Sequence, residues 1–138
     1  MENYFYGDDK KTILKESLLT NQAKDWAKKF IQPIRPKNRY DKNPPLSSAQ
    51  LRKFYGEVKA LETKIDAKGF AQIKPLIKML KSKAAYSCPT RGGNKKIPDE
   101  FKKFLDEMVD HVEDKQDYKA FAITFEAVVG YFYGEGGR

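Results

Sequence analysis

The segment Tyr118 to Tyr133, YKAFAITFEAVVGYFY, is the most apolar stretch of the chain and cannot lie with every side against water. At about 100° per residue, Tyr118, Phe121, Phe125, Val128, Val129 and Phe132 share one helical face at the i, i+3/i+4, i+7 spacing of a core stripe. That face predicts the hub of the core. Ile123, Ala127 and Tyr131 group on the opposite side, where a surface helix of a lone globule carries charge. The helix is therefore either wrapped centrally by its own chain or covered a second time by a neighbouring subunit, because both arrangements bury the second face.

A chain of 138 residues supports one ordinary core rather than two comfortable domains. The expectation is one helical domain over 1–138, with an N-terminal arm at 1–19 and basic loops at 33–46 and 88–97. A hydrophobic fraction of 40% with 13% aromatic residues argues against wholesale disorder, and 33% charged residues give an ionic surface. A single cysteine, Cys88, rules out an internal disulfide and fits a reducing compartment. The start, MENYFYGDDKK, lacks a basic region followed by an apolar one, and Glu126 interrupts the greasy helix short of a spanning length. A soluble, cytoplasmic protein without membrane contact is expected.

The formal charge of +8 is unevenly distributed. Residues 1–96 hold 22 Lys+Arg against 9 Asp+Glu, a balance of +13, whereas residues 97–138 hold 5 against 10, a balance of −5. Lysines that merely solvate a surface explain basicity but not its segregation. The asymmetry points to a polyanion partner for the first part and a solvated or protein-facing role for the second.

Residues 1–19 mix aromatics with charge and form an arm with a short helix near Lys11 to Leu18. Thr20 or Asn21 caps a helix to about Gln32, with Ala23, Trp26, Ala27 and Phe30 inward and Pro33 closing it. The text IRPKNRYDKNPP then sets Arg35, Lys37, Arg39 and Lys42 around Tyr40, an extended basic loop of a kind that suits single-stranded nucleic acid. Ser47 or Ser48 caps a strongly periodic helix with Leu51, Phe54, Tyr55, Val58, Leu61 and Ile65 on one face. On its flank, Gly56 leaves bare backbone between Arg52 and Lys59, open to a ligand or to another helix. Gly69 breaks the pattern, and Pro75 fits the first turn of a helix over about Ile73 to Tyr86, with Ile73, Leu76, Ile77, Leu80 and Ala84 as its core stripe. Lys74, Lys78 and Lys81 form a second stripe, three like charges whose repulsion a polyanion would relieve. SCPTRGGNKKIP adds a flexible loop with Arg91, Lys95 and Lys96, and a helix from Pro98 or Asp99 to about Val112 turns Asp106, Glu107 and Asp110 outward, where they would repel RNA.

The residues favour no catalysis, no metal and no cofactor. His111, the only histidine, has Glu107 and Asp114 nearby in sequence, but neither HExxH nor a Cys/His set is present. Cys88 has no histidine base of the kind a nucleophile needs, and the acidic pairs lie on a solvated helix.

Taken together, LRKFYGEV (51–58), LKSKAAYS (80–87) and FEAVVGYFYGEGG (125–137) resemble the small subunit of the type III-A CRISPR interference assembly, the Csm complex. The likeness covers roughly residues 46–137. It implies an all-helical, non-nucleolytic subunit present in several copies, stacked beside guide-bound backbone subunits and touching guide RNA and target RNA in antiviral defence. Carried onto this chain, its basic contacts fall on Arg52 and Lys59 and on Lys78, Lys81 and Lys83. The expected architecture is all-α, a bundle of about five helices with a basic, proline-containing loop. RNA contacts are expected at Arg35, Arg39, Arg52, Lys59, Lys74, Lys78, Lys81, Lys83, Arg91, Lys95 and Lys96, and a subunit interface at Ile123, Ala127 and Tyr131. A second reading makes the chain an assembly module whose basic face meets an acidic protein.

Overall fold

Side-chain caps start the two longest helices, and a glycine separates the third helix from the fourth. The computed structural model describes residues 3–38, 41–90 and 94–138. Its helices are α1 (Glu16–Leu19), α2 (Asn21–Ile31), α3 (Ser48–Lys68), α4 (Phe70–Ser87), α5 (Asp99–Asp110) and α6 (Lys115–Gly134). The Ser47 side chain accepts a hydrogen bond from the Gln50 amide and starts α3, and Asp114 does the same for α6 through the Asp117 amide. Gly69, at φ 92°, ends α3 and lets α4 begin on the next residue. Pro75 consequently lies inside α4 rather than in its first turn, because the helix starts three residues before Ile73. Its ring forgoes the bond to the Ala71 carbonyl on a face that is open to water.

The five longer helices close a ring in the order α6, α3, α4, α5, α2, each against the next, and α1 seals one end against α2 and α6. Among the described residues there is no sheet, only an isolated antiparallel bridge between Tyr6 and Leu14. Phe30, Phe54, Phe101, Phe104, Phe121 and Phe125 fill the centre with no exposed surface beyond 1%. Most of their ring contacts are edge-to-face, such as Phe30 on Phe101 at 5.1 Å and Phe104 on Phe125 at 5.5 Å. Tyr118 is equally buried, and its hydroxyl donates to the Val58 carbonyl at 2.8 Å, which ties α6 to α3. Burial pushes that phenol well above the usual tyrosine range.

Four expected core positions lie further out: Tyr55 and Val129 are half-buried against the core, as is Trp26, and Leu76 is exposed. Trp26 is half-buried at the rim, stacked edge-on against Phe104. Leu76 is 39% exposed, because α3 and α4 meet through Ile73, Ile77, Leu80 and Ala84 and leave Leu76 over the seam between them.

The N-terminal segment is packed rather than loose. Phe5 is fully buried and Tyr6 nearly so, with the Tyr6 hydroxyl donating to the Gln116 carbonyl at 2.6 Å. The helix expected from Lys11 to Leu18 is the single turn α1, since residues before it turn back to pair Tyr6 with Leu14. Lys11, at φ 57°, forks its ammonium onto Asp114 at 2.6 Å and Asp117 at 3.0 Å. Burial works against the Lys11 charge, but the two hydrogen bonds and the carboxylate charges outweigh it and hold its pKa above the ordinary value. Burial likewise opposes the Asp114 anion, yet its bonds from Lys11 and from backbone amides hold it below the ordinary value.

Lys11→Met is therefore expected to cost about 1–3 kcal/mol, because the Asp117 carboxylate, nearly all buried, loses a charged partner. Lys115→Met, which removes a half-exposed pair with Asp66, should cost much less, because water already screens that pair. Thermal melts of both variants check the contrast. The Asp114 pKa is depressed, so its stabilisation is present above the ordinary carboxylate value and lost as pH falls through the folded value. The Lys11 pKa is raised, so its share is present below the ordinary lysine value and lost as pH rises through the folded one. The wild-type advantage should accordingly shrink at both extremes.

Candidate nucleic-acid interface

The basic side chains divide among three places on the ring of helices. Arg52 and Lys59 lie on the flank of α3 that faces α6. Arg52 donates to the Tyr133 hydroxyl at 2.8 Å with its guanidinium 5.6 Å from the ring centre. Lys59 pairs with Glu62 at 2.8 Å, a hydrogen bond that raises its pKa. Further along this seam, Lys115 and Lys119 share Asp66. Gly56 sits between Arg52 and Lys59, and an added Cβ there would meet nothing within 4 Å. No neighbour within the described chain requires the glycine, so its bare backbone is available surface.

Lys74, Lys78 and Lys81 occupy the opposite flank of the α3–α4 pair. Lys81 reaches Asp110, the last residue of α5, at 2.6 Å, and this hydrogen bond raises its pKa. Lys78 and Lys74 lie one and two turns back toward the start of α4, exposed, and form no ion pair among the described residues. Lys83 projects to the other side of α4 and pairs with Glu57 of α3 at 3.0 Å. The structure thus keeps Lys74, Lys78 and Lys81 together and separates them from Lys83, Arg52 and Lys59. Two of the three stripe lysines have no ion-pair partner among the described residues.

The two basic loops meet at the first turn of α5. Glu100, 6% exposed, accepts from the Ile34 amide at 2.6 Å and from Asn43 Nδ2 at 2.9 Å. Asn43 Oδ1 in turn accepts from the Asp99 amide at 2.7 Å. Asp99 also receives Lys95 at 2.9 Å and the Cys88 thiol at 3.2 Å. Burial and the Asp99 contact push the thiol up to about 11, which leaves it an unreactive packing group. Between the loops lies a cavity of about 670 Å³ whose walls include Arg35, Lys42, Lys95 and Lys103 together with Asp41, Asp99 and Glu100. Lys96 sits apart, over the Tyr86 ring. Arg39 and Arg91 lie outside the described residues.

On α6, Ile123 is 41% exposed, whereas Ala127 and Tyr131 are half-buried against the core. The open arc of the helix is Ile123, Glu126, Gly130 and Tyr133, with Ala127 and Tyr131 at its edge. His111 stacks on Tyr4 with ring centres 3.9 Å apart, and among the described residues no three of His, Cys, Asp and Glu gather as a metal site. No helix is long and apolar enough to cross a membrane, among the described residues.

Sequence reasoning passed over Tyr86, which is 79% exposed at the end of α4. The signal was available: an aromatic residue lies off the core stripe of an amphipathic helix, on the same side as Ser82 and Met79.

No curated protein and no solved structure matches the chain. A family model, Csm2 Type III-A, matches residues 14–137 and so takes in every helix and both basic loops. With that span covered and an all-helical bundle beneath it, the chain belongs to the Csm2 Type III-A family, the small subunit of the type III-A Csm complex.

Proposed function

We propose that this subunit holds RNA by its phosphates, without reading sequence and without catalysis, and stacks in several copies along the guide and target RNA of the complex. The observation that carries this reading is the pair Lys74 and Lys78, exposed on α4 with no carboxylate bonded to either among the described residues. Two ammonium groups one turn apart repel each other in the free protein, and a phosphate chain laid along them relieves that repulsion. Lys81 continues this stripe, whereas the loop residues Arg35, Lys95 and Lys96 and the α3 residues Arg52 and Lys59 are separate basic places that offer further phosphate contacts. Lys83, turned toward α3, contributes at the margin. Base pairing within the complex supplies sequence selection, and the protein supplies charge and spacing. The open arc of α6 around Ile123, with half-buried Ala127 and Tyr131 beside it, supplies a contact for another subunit.

The test is a mobility shift of the full chain with single-stranded RNA longer than about ten nucleotides, at two salt concentrations, with and without magnesium. Affinity is expected to fall with salt, with a log–log slope of about −0.7 per phosphate neutralised, and to be indifferent to magnesium, with the RNA recovered intact. A flat salt response would remove phosphate contacts as the basis of binding, and magnesium-dependent cleavage would make the subunit an enzyme. A second reading, a basic face for an acidic protein, is favoured by the exposed Leu76 and Met79 beside Lys83 and Lys64 in the α3–α4 seam. It predicts self-association without RNA affinity.

A further inference from the structure

Tyr86 is the most exposed tyrosine among the described residues, at 79%, whereas the phenylalanines there are buried or half-buried. Its position is fixed rather than accidental. The ring stands on the last turn of α4, and the chain that leaves the helix is drawn back to it: the Lys96 and Ile97 amides both donate to the Ser87 carbonyl, at 2.8 and 3.3 Å. Ile97 is fully buried and anchors this return. Lys96 is thereby held beside Tyr86, its ammonium 5.8 Å from the ring centre. Two turns back on the same side is Met79, 49% exposed, and Lys78 lies at the border of that side.

We infer that Tyr86 is a stacking platform for an unpaired RNA base, with Lys96 placed to take the phosphate of the same nucleotide. The inference rests on the phosphate-binding reading above and adds to it a contact that only a base can make. A phenol ring open to water on an outward helical face offers a flat apolar surface that any base can cover, and an adjacent ammonium supplies the charge that brings the strand there. Lys74 and Lys78 attract a polyanion of any kind. Tyr86 confers a preference for strands whose bases are unpaired.

Because the ring packs against almost nothing, its removal leaves the fold intact, and alanine suits a helix at least as well. The experiment compares the full chain with Tyr86→Ala and Tyr86→Phe on two probes of equal length, oligouridylate and an abasic ribose-phosphate strand. Tyr86→Ala is expected to weaken oligouridylate binding roughly five- to hundred-fold with the salt slope unchanged. Tyr86→Phe should bind as wild type does, and the abasic strand should bind all three proteins alike. Equal affinity of Tyr86→Ala and wild type for oligouridylate overturns the platform alone and leaves the phosphate reading standing. Equal losses on both strands, or a loss in Tyr86→Phe as large as in Tyr86→Ala, also overturn it. Wild-type protein that binds neither strand overturns both.

Discussion

Phe125→Ala is expected to cost about 3–5 kcal/mol and to lower Tm by roughly 10–20 °C. The ring has no exposed surface and lies where three helices converge. Its centre is 5.3 Å from Tyr55 on α3, 6.0 and 5.5 Å from Phe101 and Phe104 on α5, and 6.2 Å from Phe121 on its own helix. Truncation removes the ring's transfer energy and leaves a void walled by other rigid rings, which collapse poorly into it. Ile123→Ala, two residues away and on the open arc across the helix, should cost below about 1 kcal/mol because much of that side chain is already in water. Chemical denaturation of the two variants checks the pair. A Phe125→Ala protein within a few degrees of wild type would mean that the bundle is not held at this point.

The second large effect concerns binding. Lys74→Glu combined with Lys78→Glu should weaken retention of single-stranded RNA at least tenfold at low salt and reduce the magnitude of the log–log salt slope by about 1.4, two phosphates' worth. Helicity and Tm should hold, since both side chains are exposed and form no ion pair among the described residues. Lys81→Gln should do less than either reversal, because that ammonium already spends part of its field on Asp110 at 2.6 Å. Affinity of the double variant within twofold of wild type would leave the α4 stripe without a role in RNA contact.

Much of the fold was legible because the helices obey a single period. Ser47 announces α3, and the i, i+3/i+4 stripes from Leu51 to Ile65 and from Tyr118 to Phe132 identify the buried faces. What periodicity could not show was which stripe member sits at a seam. Leu76 fits the wheel of α4, yet only the position of α3 decides that it stays half in water. The N-terminal arm was illegible for a different reason. Its burial depends on partners more than a hundred residues away, Tyr6 on Gln116 and Lys11 on Asp114 and Asp117, and no local pattern encodes them.

The grouping of the basic residues on α4 was legible in the sequence, but their ion pairing was not. A wheel groups Lys74, Lys78 and Lys81, but it is blind to a carboxylate that another helix brings to an ammonium. Asp110 of α5 takes up Lys81 and Glu57 of α3 takes up Lys83, so that nominal charge overstates what is left for a ligand. Asn43 and Glu100 were silent in the sequence, since a polar clasp between two loops follows from tertiary approach alone.

The family match begins at residue 14, yet Phe5 is sunk completely into the bundle and Tyr6 almost so. A shortened gene cut to the matched span would therefore strip a plug from the end of the barrel of helices and strand Asp117 without its cation. For anyone choosing where to begin an expression clone or attach a tag, the physical unit starts at least nine positions ahead of the recognisable one.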